Sequence, residues 1–544
     1  MYLNTENSMS KRLDNLKELT KINNLCKIAL NAGGEVKHLM IPHNELKGDG
    51  LTNGTILYNS STKKWLLNLR RVKYALFHCE NNQKYHSPWG PLIYFNPEDD
   101  VTLKTINYIC ELDNEKLTIN SWCRTNTSKL DKPPIWGFVG HEDVRLVYWD
   151  GILYQTGVRR DTTINGEGRM ELSTVKIIDN DWKEVNRQRI STPDGKTNKQ
   201  GGNYCEKNWM PINDMPYHYV KWSNPTEIIK VDPKTGSSEV IIFKENPGLK
   251  TPRDMRGSSN VIKYKDMWVA IIHECDLWYD IDGKKDAVYH HRIVCWDKDW
   301  NIIKMSDTFN FMTGQIEFTC GLALDGDNFL IPFGFQDNTS YILKLPSVVF
   351  DFLIGLIDKL PTIKKIKVKN DITNFINNPY DAYLTFKLAE YFFSKKQFSS
   401  ALGLYSRSAE YSDDYDINYQ SLYMMASCIS SLEKRDEAEE LMWLKVINFD
   451  KDRPEGYLAL SRYYSWRNYP NKAYYFANMG INCTKHNFKI TPNSNYSYKD
   501  LDQQRILYSN SDGKYDERKQ LLKILMKDNP SKWVVSLAEK WKLI

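Results

Sequence analysis

The stretch GHEDVRLVYWDGILYQTGVRRD, residues 140–161, contains two strand-like runs joined by a turn. Apolar and β-branched residues dominate both runs, and the dipeptide Asp150-Gly151 between them favours a β-hairpin. The hairpin begins beside an acid pair, Glu142 and Asp143, and ends at two arginines. Charged strand ends are usually only solvated, so one such hairpin predicts local structure and no more. Charges that recur at several strand ends would instead indicate a site.

The strand–turn–strand pattern recurs from residue 48 to residue 347. Short runs of β-branched and aromatic residues alternate there with Gly, Asn and Asp turns, as in NVIKYKDMWVAIIHE (260–274) and NFLIPFGFQDNTSYILKL (328–345). Repeated hairpins favour an architecture that hides its sheet edges by closing on itself, and a propeller is one such solution. The sequence therefore predicts an all-β propeller over residues 48–347, with two sheets packed face to face as the alternative.

Helical patterns flank this region on both sides. Residues 1–47 are predicted to form a helical or irregular N-terminal extension, because leucines and isoleucines recur there at three-residue steps. Residues 348–378 are predicted to be a helical linker. Residues 379–544 are predicted to form helical repeats that end in capping helices.

Three segments between residues 379 and 482 align with one another. The alignment places Ala401, Ala438 and Ala473 at intervals of 37 and 35 residues. Small residues at a fixed period are typical of closely crossing helix pairs, and the pattern resembles the tetratricopeptide repeat, whose period is about 34 residues. The resemblance implies a surface on which a protein partner can be recruited.

The bulk composition describes a globular protein without a strong charge preference. Hydrophobic residues make up 41% and charged residues 26%, and 73 basic against 68 acidic residues give a net charge of +5. This excess is too small to favour nucleic acid or an anionic membrane as a partner, so any basic site must be local. The longest apolar run, residues 348–357, is short and contains Asp351, so no membrane span is expected.

The composition of the N-terminus and the distribution of the cysteines favour the same cellular compartment. The first residues are polar and lack an apolar segment, so we expect no secretory signal. Ten cysteines are scattered without a CxxC pair, which is typical of free thiols in a reducing compartment. We therefore expect a cytoplasmic protein. No cluster of His, Cys and Asp has metal-ligand spacing, so we expect neither a metal nor another cofactor.

Polar groups recur at the ends of several predicted hairpins. In a radial all-β fold the ends of successive strands converge on one face, so residues far apart in sequence can share a pocket. The side chains at these positions are Arg70, Arg159, Arg160, Lys207, Arg256, His273, Glu317 and Asp337. Arg159 and Arg160 are equally well explained as solvated strand ends, His273 as a core histidine, and Glu317 as a hydrogen-bonded structural carboxylate.

Five short motifs along residues 65–347 resemble the five-bladed β-propeller family of mannoside phosphorylases and related mannosyltransferases. The matching segments are NLR at 68–70, EDVR at 142–145, EKNWMP at 206–211, RGSSNVI at 256–262 and IIHE at 271–274. Each motif is short, and the resemblance depends on their order over about 280 residues. The chain departs from the family at Val144, where proline is usual, and in its C-terminal repeats, which the usual enzyme lacks.

The resemblance implies a role for each matching residue. Asp143 would be the general acid, with a pKa raised by burial or by a neighbouring acid. The cations would hold phosphate or the sugar, and Glu142 would orient a sugar hydroxyl or an arginine. Carried over position by position, the binding residues are Arg70, Arg145, Lys207, Arg256 and His273.

The chemistry of glycosidic cleavage agrees with this set. An acid must protonate the departing oxygen, and a hydrolase also needs a second carboxylate to activate water. A phosphorylase needs cations instead, because phosphate arrives as an anion and matches Arg and Lys donors. The sequence therefore predicts glycosyl transfer on mannose-like sugars, either by phosphorolysis or from a sugar phosphate or sugar nucleotide.

Two other functions stay open from the residues alone. A non-catalytic propeller could bind a glycan while the helical repeats recruit a partner, since a fold does not fix function. A glycoside hydrolase would use a second carboxylate across the pocket, for which Glu317 and Asp337 are the candidates.

Overall fold

A computed structural model describes residues 23–79, 92–100, 102–163, 166–193, 205–249, 251, 253–279, 283, 285–361, 370–484, 515–527, 530 and 532–542. The chain divides into two compact units, Met1–Tyr411 and Ser412–Ile544. The first contains the sheets and the candidate site, and the second is helical.

Within the described residues, five sheets of four or more strands follow one another along the first unit. The first contains β3 (Gly50–Asn59), β4 (Lys64–Val72), β7 (Leu103–Leu112), β8 (Ile119–Arg124) and β9 (Phe138–Val139). The second contains β10 (Glu142–Trp149), β11 (Ile152–Arg159), β12 (Arg169–Ile178) and β13 (Asp181–Arg189). The third contains β14 (Met210–Pro211), β15 (His218–Trp222), β16 (Thr226–Val231) and β17 (Ser238–Lys244).

The last two sheets also take in N-terminal strands. The fourth contains β1 (Asn23–Asn24), β18 (Arg256–Gly257), β19 (Ile262–Tyr264), β20 (Met267–Tyr279), β21 (Lys285–Trp296), β22 (Ile302–Met305) and β23 (Phe309–Asn310). The fifth contains β2 (Glu35–Leu39), β24 (Glu317–Phe318), β25 (Ala323–Asp325), β26 (Asn328–Phe335) and β27 (Thr339–Pro346). A separate hairpin pairs β5 (Ala75–His78) with β6 (Leu92–Phe95).

The sheets are arranged as in a propeller. Each sheet packs against the next along the chain, and β26 and β27 of the fifth sheet pack against β3 of the first. The hairpin at 140–161 forms β10 and β11, which pair antiparallel around the left-handed Asp150 and Gly151. Apolar side chains fill the space between neighbouring sheets; Trp149 of the second sheet, for example, packs on Tyr219 of the third. The alternative of two face-to-face sheets does not describe this arrangement.

The propeller also includes residues that precede position 48. Strand β2 pairs antiparallel with β27, from Glu35 opposite Lys344 to Leu39 opposite Ser340, and β1 pairs parallel with β23. Residues 1–47 were expected to lie outside the propeller, but β2 completes its fifth sheet. An edge that would otherwise expose unpaired N–H and C=O groups is thereby covered.

Helices are found in both units. In the first unit they are α1 (Leu25–Asn31), α2 (His43–Leu46), α3 (Ser347–Leu353), α4 (Asp371–Asn377), α5 (Ala382–Ser394) and α6 (Phe398–Tyr411). In the second they are α7 (Tyr415–Ser431), α8 (Asp436–Phe449), α9 (Pro454–Trp466), α10 (Pro470–Ile481), α11 (Tyr515–Met526) and α12 (Lys532–Lys540). No helix in the described ranges is long and apolar enough to cross a bilayer.

Helix α6 is packed against the sheets, although the sequence analysis assigned it to the repeat domain. The Ser400 hydroxyl donates to the carbonyl of Asn338 at 2.8 Å, and the backbone N–H of Ser399 donates to the carbonyl of Gly48 at 3.0 Å. The division of the chain after Tyr411 therefore differs from the expected boundary at residue 379.

Arg407 fixes the other end of α6. Its guanidinium is fully buried and donates to the carbonyls of Pro379 and Thr313, at 2.9 and 3.3 Å. The rings of Tyr380 and Tyr411 lie 5.5 and 5.1 Å from its central carbon. Cation–π contacts and carbonyl acceptors compensate a charge that has lost its water.

Consecutive helices pack in pairs, as the repeat pattern predicts: α5 with α6, α7 with α8, and α9 with α10. Ala401 and Ala473 are completely buried, whereas Ala438 is partly exposed. The hydroxyl of Ser461 on α9 donates to the carbonyl of Ala473 on α10 at 2.7 Å, so the chain comes close where the side chains are small.

Candidate active site

Asp143 lies at a β-bulge at the start of β10. The register between β10 and β11 shifts between Glu142 and Arg145, and Asp143 has a φ of 50°. This left-handed conformation is uncommon for a residue with a side chain, although aspartate tolerates it better than most. Val144, which replaces the proline of the family motif, is completely buried. Because of the bulge, the adjacent side chains of Asp143 and Val144 have different surroundings.

Arg70 on β4 is the main partner of Asp143. Its Nη1 donates to Oδ1 of Asp143 at 2.9 Å, and its Nε donates to the hydroxyl of Thr105 at 3.1 Å. Nη2 donates to the hydroxyl of Tyr74 at 3.3 Å and lies 3.8 Å from Oε2 of Glu142. One buried guanidinium thus contacts both acids of the pair.

Arg145 is completely buried below the bulge. Its Nε donates to the carbonyl of Ser258 at 2.9 Å, and its Nη1 donates to the carbonyl of Asp143. Nη2 has no hydrogen-bond partner among the described residues. Leaving a buried charged donor unsatisfied is costly, so Nη2 is the hydrogen-bonding group of Arg145 that the described chain does not satisfy.

A third carboxylate, Asp337, belongs to the same cluster. It follows β26 with a φ of 49° and accepts a hydrogen bond from the hydroxyl of Thr52 at 3.4 Å. Asn53 donates to Oδ1 of Asp143 at 2.8 Å. Gly334 permits this approach, because a Cβ there would lie 2.2 Å from the hydroxyl oxygen of Thr52. The first, second and fifth sheets therefore meet at Asp143.

The pKa of Asp143 is lowered, whereas the pKa values of Glu142 and Asp337 are raised. Burial raises the pKa of Asp143, but the charges of Arg70, Arg145 and Lys207 outweigh it and hold the pKa below its usual value. Burial raises the pKa of Glu142 and of Asp337, with Asp143 adding to both shifts and Arg70 opposing them. The expectation that the pKa of Asp143 is raised is wrong, because Arg70 donates directly to its carboxylate.

Lys207 lies near the cluster, whereas Arg256 is at its margin. Lys207 is exposed, and its charge lowers the pKa of all three carboxyl groups. Arg256 pairs with His273 across β18 and β20, and its guanidinium lies 3.7 Å from the exposed Asp254. Arg70 and Arg145 therefore contact Asp143 directly, and Lys207 affects it through its charge, whereas no contact between Arg256 and Asp143 is found in the described part of the chain.

His273 is buried and linked indirectly to the cluster. Its Nδ1 lies 2.9 Å from the hydroxyl of Ser258, whose carbonyl accepts from Arg145. Burial lowers its pKa well below the usual value, and His291, Arg256 and Lys207 lower it further. A neutral imidazole cannot act as a cation in an anion cradle, so His273 is at most a hydrogen-bonding group.

Glu317 is held by backbone, as the structural reading expected. Its carboxylate accepts from the N–H groups of Phe311, Met312 and Gly314 at 2.5, 2.8 and 2.7 Å. Burial raises its pKa to about 7, although these N–H groups and Arg407 oppose the shift. Both oxygens of Glu317 therefore accept backbone N–H groups, and it is poorly suited to activate water.

The two arginines at the end of the hairpin are partnered. Nε of Arg159 donates to Glu171 at 2.7 Å, and its Nη1 lies 3.3 Å from Asp161. Arg160 donates to the carbonyl of Gly166 at 2.8 Å and lies over the ring of Phe138. Arg159 is therefore a buried ion-pair partner, and the reading of both residues as solvated strand ends does not describe them.

Thr52 and Asn53, which were not predicted from the sequence, contact the carboxylates directly. The segment LTNGT carries an Asn-Gly dipeptide inside a strand pattern, which is the signal of an irregularity in a sheet. The pairing of β3 with β4 does shift between Thr52 and Thr55, and Asn53 has a φ of 47°. No group of three or more His, Cys, Asp or Glu side chains in the described residues is arranged to hold a metal ion.

No family model and no curated protein matches the chain. Solved structures that are similar to it include a β-1,2-mannobiose phosphorylase from Listeria innocua with bound β-1,2-mannobiose. That match has 14% identity and a TM-score of 0.34, and covers 57% of this chain and 93% of the other.

Two further structures show comparable similarity. A mannose phosphorylase from Leishmania mexicana with a phosphate ion has 10% identity and a TM-score of 0.33, covering 64% of this chain and 99% of the other. A glycosyl hydrolase from Bacteroides ovatus has 13% identity and a TM-score of 0.35, covering 54% and 84%. At these values the similarities assign no activity to this chain.

Proposed function

We propose that the protein is a carbohydrate-active enzyme that transfers glycosyl groups from mannose-like sugars, by phosphorolysis or from a sugar phosphate or sugar nucleotide. The five sheets are its five blades, and the paired helices are tetratricopeptide-like repeats that recruit a protein partner. One observation supports the proposal: the buried Asp143 is in contact with Arg70 and Arg145, and the charge of Lys207 also lowers its pKa.

In phosphorolysis, the C1–O bond of the glycoside breaks and a bond forms between C1 and a phosphate oxygen. The proton of the Asp143 carboxyl passes to the departing oxygen, and the products are a sugar 1-phosphate and a free hydroxyl. Phosphate would accept hydrogen bonds from Arg145 and Lys207, whose donors match its oxygens. Glu142 would orient a sugar hydroxyl or Arg70.

Asp143 is ionised in the free protein, so phosphate must first enable it to take a proton. A bound phosphate adds negative charge beside Arg70, Arg145 and Lys207 and offsets their field at the carboxylate. The pKa of Asp143 then rises, because the cations no longer favour its charged form alone. Glu142 and Asp337, whose pKa values are raised, are the neighbouring carboxyl groups that would exchange a proton with it. Anion binding and proton loading would thus be one coupled step.

Hydrolysis is the second candidate function, and it is favoured by the presence of a further carboxylate, Asp337, in the same cluster. An inverting hydrolase separates its two carboxyl groups by roughly 6.5–9.5 Å, leaving room for a water molecule. Glu317 is fully engaged by backbone, so Asp337 is the remaining candidate for the base. The third reading, a non-catalytic glycan-binding propeller, requires no turnover at all.

Turnover assays distinguish the three functions. The full-length protein is incubated with manno-oligosaccharides, sugar 1-phosphates and sugar nucleotides, with and without phosphate, and the products are separated by chromatography. Formation of a sugar 1-phosphate that depends on phosphate and is lost in Asp143→Asn supports phosphorolysis. Free sugar without phosphate, lost in Asp337→Asn, supports hydrolysis. Binding without any turnover supports the glycan-binding module.

A further inference from the structure

Strand β17, residues 238–244, is the outermost strand of the third sheet. It pairs antiparallel with β16 on one side, and no strand in the described part of the chain pairs with its other side. An open strand edge is a place where another chain can associate, so proteins usually protect it with charged side chains. The side chains of β17 therefore indicate whether this edge is protected.

Apolar side chains dominate the exposed surface of β17. Val240 and Ile241 are each 40% exposed, and Phe243 is 56% exposed. By contrast, the outer strand of the second sheet, β13, has the sequence DWKEVNRQR and presents mainly charged and polar residues. Single exposed apolar residues are common on protein surfaces, but these three lie within four positions of one edge strand. We call Val240, Ile241 and Phe243 the β17 patch.

A β-bulge explains why neighbouring residues of the β17 patch are exposed together. The consecutive residues 228 and 229 of β16 pair with Ile242 and Val240 of β17, and Ile241 between them has no counterpart. The extra residue breaks the alternation of a regular strand, in which every second side chain faces the core. It also disrupts the row of backbone groups along the strand. Another chain would therefore bind through side chains and not through a continued backbone ladder.

Opposite charges flank the β17 patch. Glu239 precedes it and is exposed, and Lys244 follows it and is half-buried. Across the strand pair, Lys230 of β16 lies opposite Glu239, and Thr226 lies opposite Lys244. A strand with an acid at one end and a base at the other is complementary to a second copy that runs in the opposite direction. Two copies running in the same direction would place like charges together.

We propose that the β17 patch is an interface between two copies of this chain related by a two-fold axis. The axis crosses β17 between Ile241 and Ile242, so that the two strands run antiparallel. Glu239 then faces the partner subunit's Lys244, and Val240 faces the partner subunit's Phe243. The same patch is used on both copies, so the contact closes on itself and gives a dimer and not a filament. Each charge pair forms twice.

The expected dimer is weak, because the β17 patch is small. Stable interfaces commonly involve about 20–30 residues on each partner, whereas β17 has 7 residues. Burial of the apolar side chains would drive the association, and the charges would select the antiparallel arrangement. The dimer should therefore dissociate on dilution, and its charge pairs should weaken as salt screens them.

Sedimentation-velocity ultracentrifugation of the full-length protein over a roughly 100-fold range of concentration tests the interface. Ile241→Ser and Phe243→Ser each remove apolar surface from the β17 patch. Ile177→Ser is the matched control, because Ile177 is 62% exposed on β12 of the second sheet. We expect the unmodified protein and the control to dimerise alike, and the two patch variants to dimerise at least about tenfold more weakly. Circular dichroism verifies that every variant is folded.

Charge variants test the antiparallel arrangement. Glu239→Lys and Lys244→Glu should each dimerise about tenfold more weakly at low salt, because like charges then face each other twice. An equimolar mixture of the two variants should recover the association of the unmodified protein, since each supplies the charges that the other lacks. The double variant Glu239→Lys/Lys244→Glu should also dimerise like the unmodified protein.

The inference is overturned if the protein is monomeric at every concentration, which would leave the β17 patch to a partner other than this chain. A dimer that neither serine variant weakens would place the interface elsewhere. Oligomers that keep growing with concentration contradict a contact that closes at two copies. Charge variants that fail to recover on mixing would reject the antiparallel arrangement and with it the proposal. All of these measurements are independent of the proposed reaction.

Discussion

Asp143 and Glu317 are both buried carboxylates of the first unit, and their surroundings differ in kind. Asp143 is held by charged and polar side chains, Arg70 and Asn53, and its pKa is lowered. Glu317 is held by three backbone N–H groups, and burial raises its pKa to about 7.

Burial alone therefore does not identify the catalytic acid. The backbone donors around Glu317 belong to one rigid turn and cannot be withdrawn. The charges around Asp143 belong to side chains that a bound anion can also engage, so its proton affinity can change during a reaction. On the proposed function, the surroundings of Asp143 would change when an anion binds, whereas those of Glu317 would not.

The largest expected difference between the two carboxylates is in turnover. Asp143→Asn should reduce kcat by about 100-fold or more, because general acid catalysis typically contributes 10²–10⁴-fold. Glu317→Gln should change kcat by less than about tenfold once correctly folded protein is assayed. Steady-state kinetics on the substrate identified by product analysis measures both. Equal losses in the two variants would mean that Asp143 is no more catalytic than Glu317.

The loss of stability should be larger in Glu317→Gln than in Asp143→Asn. Glu317→Gln leaves at least one buried backbone N–H without an acceptor and should lower the free energy of unfolding of the first unit by about 1–3 kcal/mol. Asp143→Asn keeps an oxygen acceptor for Arg70 and Asn53, and the charges of Glu142 and Asp337 still compensate the guanidinium, so a smaller loss is expected. Urea unfolding at neutral pH provides the values, and the comparison fails if Asp143→Asn is the more destabilised variant.

The pH dependence of stability sharpens the comparison further. Because folding raises the pKa of Glu317 from 4.5 to about 7, the folded state binds the proton more tightly than the unfolded chain. This contribution is present below pH 4.5 and is lost as pH rises to about 7, by up to about 3 kcal/mol. Glu317→Gln should remove that slope. The lowered pKa of Asp143 acts in the opposite sense, and its contribution is lost as pH falls below 3.8.

The smallest expected effect concerns anion binding. Sulfate, whose charge is constant above pH 3, should bind more tightly as pH falls below 7, because the anion raises the pKa of nearby carboxyl groups such as Glu142. The dependence should stay below about tenfold per pH unit for each proton taken up. The variant Glu142→Gln/Asp337→Asn should flatten it, while Glu317→Gln should not. Calorimetry at several pH values tests this, and a dependence unaltered in the first variant contradicts the coupling.

The sequence could predict which residues approach the site better than how they interact. Arg70, Asp143 and Arg145 lie in motifs at strand ends, and converging strands bring such positions together. The hydrogen bond from Arg70 to Asp143 depends on the bulge at Glu142, which no local sequence pattern indicates. The direction of the pKa shift of Asp143 was therefore predicted wrongly. Glu317 was open to two readings, because its partners are backbone groups that any sequence supplies.

The extent of the propeller was similarly hard to predict. Residues 35–39, EVKHL, form one short strand that pairs with residues 340–344, about 300 positions later. Its hydrophobic pattern is too brief to distinguish a strand from an irregular segment. The repeat period identified α5 and α6 as helices, but a helical period does not say which surface a helix covers. Ser399, Ser400 and Arg407 decide that, through contacts with residues distant in sequence.

The docking of α6 has a practical consequence for dissecting the molecule. A truncation at residue 378, the boundary that repeat alignment suggests, would remove the serine hydroxyl that bonds to Asn338 and would uncover the peptide next to Asp337. It would also withdraw the guanidinium of Arg407 from Thr313, beside the turn that holds Glu317. A fragment ending at Tyr411 keeps both of these contacts. The first helical pair therefore belongs with the sheets, and gene fragments, domain grafts or fusion proteins should be cut after it.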